Sequence, residues 1–101
     1  MNKKDILRAA HGLAKNAYGA AGHAEAKDHL FTQFPEAEWD EIVSAYMRAC
    51  ELVEVAEQLG DKWHQGEVTE EEAEAKLAKD FADFSKETLS KALSFGFFVT
   101  R

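Results

Sequence analysis

PEAEWDEIVSAYMRACELVEVAEQLGDKWH, residues 35–64, holds the longest ordered pattern in the chain, and its reading decides the fold. Trp39, Ile42, Val43, Tyr46, Cys50, Val53 and Ala56 recur at intervals of three and four, and Leu59 and Trp63 extend the line. That spacing is the signature of an amphipathic helix, not of a strand. Met47, Leu52 and Val55 widen the apolar arc, so the helix is expected to meet neighbours on more than one side. Pro35 suits a first helical turn, and Glu36 and Glu38 put negative charge beside the exposed N–H groups of that end. The remaining face carries Asp40, Glu51, Glu54 and Asp61 in nearly one row.

On the C-terminal side, Gly66 is the expected stop of this helix. The next segment, TEEEAEAKL, begins with Thr69 and has Glu72 three residues later, the two side chains that form a capping box. Leu77, Phe81, Phe84, Leu89, Ala92, Leu93 and Phe95 keep helical phase beyond it. One helix running straight through Ser85 accounts for them as well as two short ones and is the simpler expectation, with Gly96 ending the last helix. The short connection between the two long helices predicts an antiparallel hairpin, about residues 35–64 against 70–95. The last residues, FFVTR, would form an apolar tail led by Phe97 and Phe98.

On the N-terminal side, Ile6, Ala10, Leu13 and Ala17 predict a slender helix from Lys3 to about Tyr18. Gly19 and Gly22 predict a break, since each costs a helix about 1 kcal/mol relative to alanine. A short helix from about His23 to Gln33 should follow, turning Leu30, Phe31 and Phe34 inward. The expected fold is therefore all-α: a small helical bundle of one domain, residues 1–101, in which the hairpin is covered by one or two N-terminal helices. A chain of 101 residues with 46% apolar and 31% charged side chains can bury such a core without disulfides, and its one cysteine could form none internally. Charges at Asp5, Arg8, His11 and Lys15 interrupt the N-terminus, which predicts neither a signal peptide nor a membrane anchor. The expected location is the cytoplasm.

FADFSKETLSKAL, residues 81–93, has the cadence of the second half of a helix-turn-helix. Three features oppose a DNA-reading role. Asp83 stands where the turn favours glycine, Lys79 stands where tight crossing favours a small residue, and a continuous helix accounts for the same apolar positions. The outward set Lys86, Glu87, Ser90, Lys91 and Ser94 is nearly neutral. Charge points the same way: residues 1–34 sum to +2, residues 35–64 to −6 and residues 65–101 to −3, giving the formal −7. Phosphate-binding domains gather the opposite sign.

For metal, Glu25 and His29 lie four apart, with His23 and Asp28 nearby, but no second Glu-x-x-His motif completes a dinuclear set. His64 follows Asp61 by three at a helix end. The four histidines therefore read as surface residues. Cys50 reads as a buried structural thiol and Tyr46 and Trp39 as core anchors. No phosphate loop, zinc spacing or nucleophile elbow occurs.

No enzyme, cofactor or metal is therefore expected. The leading expectation is a protein-interaction module, an inhibitor or adaptor. Its acidic face, Asp40, Glu51, Glu54, Asp61, Glu70, Glu71 and Glu74, would meet a basic protein surface. An inhibitor of this kind could imitate phosphate charge in a nucleic-acid-binding site. Phe97 and Phe98 offer a second contact, to a partner or to a second copy of the chain. The alternatives are a DNA-binding regulator using Ser85–Leu93, with Lys86, Ser90 and Lys91 as contacts, and a helical metal- or small-ligand-binding protein using Glu25 and His29.

Overall fold

The computed structural model describes residues 2–101. Among these residues there are five helices and no strand: α1 (Lys3–Ala14), α2 (Gly19–Gln33), α3 (Trp39–His64), α4 (Glu70–Asp80) and α5 (Lys86–Val99). The chain is all-α, and a small helical bundle describes it. Its residue contacts form two compact units, Met1–Glu51 and Leu52–Arg101, with α3 running from the first into the second.

In the first unit α1 packs on α2. Asn2 caps α1 by accepting from the Lys4 N–H at 2.9 Å, and Ile6, Leu7, Ala10 and Ala14 are buried along one stripe. The expected helix from His23 starts four residues earlier, at Gly19, whose φ of +67° is a left-handed conformation that glycine adopts without a Cβ clash. The predicted break therefore lies at residues 15–18, and Gly22 is helical. Leu30 is fully buried as expected, but Phe31 is turned to solvent against Trp39, ring edge to face at 5.4 Å.

Pro35 does not open α3. It sits in a turn closed by the Ala37 N–H donating to the Phe34 carbonyl at 3.0 Å, and Ala37 is buried. The first helical bond runs from the Ile42 N–H to the Glu38 carbonyl, while the Glu41 carboxylate reaches back toward the Glu38 N–H at 3.4 Å. The buried seam of α3 is Ile42, Ala45, Tyr46, Ala49, Leu52, Ala56 and Leu59. It is thus rotated toward the alanines, leaving Trp39 at 41%, Met47 at 61% and Trp63 at 38% exposure. Along it Ala45, Ala49 and Ala56 alternate with Ile42, Tyr46, Leu52 and Leu59, and the small side chains let neighbours approach closely.

In the second unit, Gly66 ends the α3 turn at φ +77°, as its position predicts. Thr69 and Glu72 form both bonds of the capping box, at 3.1 and 3.0 Å. The predicted second long helix, however, is two helices. Residues 81–85 leave helical geometry, Phe81 and Phe84 bury their rings 6.0 Å apart, and Ser85 caps α5 by accepting from the Thr88 N–H at 3.2 Å. The Ser85 and Thr88 hydroxyls also bond each other at 2.9 Å. The hairpin expectation for residues 70–95 is corrected accordingly: α4 and α5 pack on each other, burying Ala73 and Leu77 with Leu89, Ala92 and Leu93.

Gly96 does not stop α5, which continues to Val99. It is instead the point where α5 touches α3, backbone to backbone at Ala56 and Gly60.

Candidate interaction surface

The α4 carboxylates proposed from sequence sit on the helix's first turns because the capping box opens it there. Glu70, Glu71 and Glu74 are exposed. No ion pair engages these three among the described residues, whereas Lys76 pairs with Asp80 at 2.6 Å and Lys91 with Glu87 at 3.1 Å. Glu54 and Asp61 are also exposed in this unit. Asp40 and Glu51 are exposed in the other unit, where Arg48 engages Glu51 at 3.0 Å.

Between α4 and α5 runs an open groove of about 310 Å³. Leu77, Ala78, Leu89 and Leu93 supply its apolar lining, with Glu74 on one wall and Lys86 and Ser90 on the other. Sequence reading missed this feature, because a continuous helix has no space between its own halves. The available signal was the Ser85-x-x-Thr88 pattern, a cap that lacks the glutamate of a capping box.

The C-terminal aromatics separate. Phe97 stacks on Trp63 with centroids 4.5 Å apart and planes 19° apart, and its carbonyl accepts from His64 Nε2–H at 2.8 Å. Phe98 is 57% exposed, with the Arg101 guanidinium 4.3 Å from its ring centroid. The predicted apolar tail is therefore the last turn of a helix, and only part of it is open.

Two sequence expectations about single residues are also corrected. His11 is not a surface histidine; it is 4% exposed, and its Nε2 has no hydrogen-bond partner among the described residues. Burial, with the Lys15 charge adding, lowers its pKa from 6.5 to about 4. Cys50 is half-buried, not fully buried. Burial raises its thiol pKa, with Tyr46 and Lys27 pulling the other way. Tyr46 in turn meets His23 Nδ1 at 2.5 Å, the tautomer deciding which group donates, and burial pushes its phenol up to about 12, with Cys50 adding to the rise.

Glu25 and His29 are exposed on α2, and among the described residues no three His, Cys, Asp or Glu side chains gather as a metal site. Among the same residues no helix is long and apolar enough to cross a membrane. No family model matches the chain, and no curated protein or solved structure proved similar to it.

Proposed function

We propose that this chain is a non-catalytic interaction module of the cytoplasm that binds a basic protein surface, as an inhibitor or adaptor. The carrying observation is the exposed set Glu70, Glu71 and Glu74 on the first turns of α4, unpaired among the described residues. Around it, residues 52–101 hold eleven Asp and Glu against six Lys and Arg, a net of −5, so the local field attracts cations. Glu54 and Asp61 extend the same unit's acidity, and Asp40 and Glu51 are exposed on the earlier part of α3.

Co-purification from the native host, with mass spectrometry of what is retained, would identify the partner. Its affinity should fall about tenfold or more between low and high salt, and similarly on Glu70→Lys with Glu71→Lys, because the contact is between opposed charges. A partner held equally after charge reversal would refute the reading.

One observation favours a second reading. With the break at Ser85, α4 and α5 form a helix–turn–helix, the element order of a DNA reader. Charge weighs against it, since the helix preceding α5 opens with Glu70, Glu71 and Glu72, and Lys91 is occupied by Glu87. Anisotropy with a labelled duplex at low salt should show no binding; saturable binding there would replace the proposal.

A further inference from the structure

The carboxylates leave the groove between α4 and α5 unexplained. Its volume of about 310 Å³ is at the small end of ligand clefts, room for one or two apolar side chains. The floor is already in place, since Leu77, Leu89 and Leu93 are buried where α4 and α5 pack on each other. From the structure we infer that this groove receives the apolar anchor of a basic helical segment belonging to the partner. This rests on the acidic-face reading above and adds to it the form of the ligand.

The charge pattern around the groove selects the occupant. Glu70, Glu71, Glu74 and Ala78 are spaced by one, three and four residues, so they share one strip of α4. A helix that seats a leucine beside Ala78 carries its neighbouring turns over Glu74 and then over Glu71 and Glu70. Lysine or arginine at those turns meets three carboxylates that have no other cation among the described residues. On the opposite wall Lys86 repels a basic residue, so the segment is basic along its α4 edge and neutral or acidic along its α5 edge. This is helix-in-groove recognition, with apolar anchors at i and i+4 and a charged rim that sets orientation. The contact is small and therefore weak and reversible.

The test uses the full chain and two labelled peptides of about four helical turns. Both have lysines along one edge; one has leucines at two anchor positions four residues apart, and the other has alanines there. Anisotropy should show the leucine peptide binding about tenfold more tightly, a difference of ~1.4 kcal/mol. Ala78→Trp, at an exposed position on the groove wall, should abolish that difference, and a leucine preference that survives it overturns the inference. Ser90→Trp fills the groove from the other wall and serves if the first variant melts early. If both peptides bind alike and Glu70→Lys with Glu71→Lys weakens both, the groove inference fails while the acidic-face reading survives. If neither peptide binds at low salt, both fail.

Discussion

His11 is the residue most at odds with its surroundings. A buried ring nitrogen without a partner costs on the order of 1–3 kcal/mol, and protonating that ring costs more. The folded state keeps His11 neutral down to about pH 4, while the unfolded chain protonates it near 6.5. Between those values the unfolded state binds the extra proton, so stability rises with pH there. This contribution is complete above about 6.5, is lost as pH falls toward 4, and amounts to about 3 kcal/mol. His11→Leu keeps the bulk and removes the titration. Urea unfolding at pH 7 and pH 4.5 should show the variant losing clearly less stability on acidification than the parent; equal losses would mean the ring is hydrated in the folded chain. Cys50 teaches the complementary lesson. A thiol whose pKa is raised by burial is a poor nucleophile at neutral pH.

At the scale of elements, two glycines of the same sequence call for opposite outcomes from one substitution. Gly96 faces the Ala56 backbone so closely that an added Cβ would overlap its carbonyl oxygen, and a Cβ on Gly60 would come within 2.5 Å of the Gly96 oxygen. Gly96→Ala should therefore cost about 1–3 kcal/mol despite alanine's better helix propensity, because a backbone contact cannot yield cheaply. Gly12 lies inside α1 with nothing near its Cβ direction, so Gly12→Ala should add about 0.5–1 kcal/mol. Chemical denaturation followed by circular dichroism reads both signs. The Ser85 cap bears on the break itself: Ser85→Ala should cost about 1 kcal/mol through the lost bond to the Thr88 N–H. A rise in stability together with increased helicity would indicate that α4 and α5 prefer to join.

For the whole molecule, charge and topology act at different ranges. The formal charge of −7 is a property of composition and biases which partners approach. Where contact is made depends on which side chains are unpaired and what lies beside them, which composition does not state. The helical class, the course of α3, the Thr69–Glu72 cap and the stop at Gly66 were all legible in the sequence, because each depends on residues within a few positions of one another. Three features were decided only by tertiary packing: the rotation of α3 toward Ala45 and Ala49, the passage of α5 through Gly96, and the division at Ser85. A helix unbroken through Ser85 and one divided there present the same apolar residues in acceptable phase, so periodicity cannot choose between them. Burying Phe81 and Phe84 in the turn and laying α5 against α4 does choose, and the groove is the space which that choice opens.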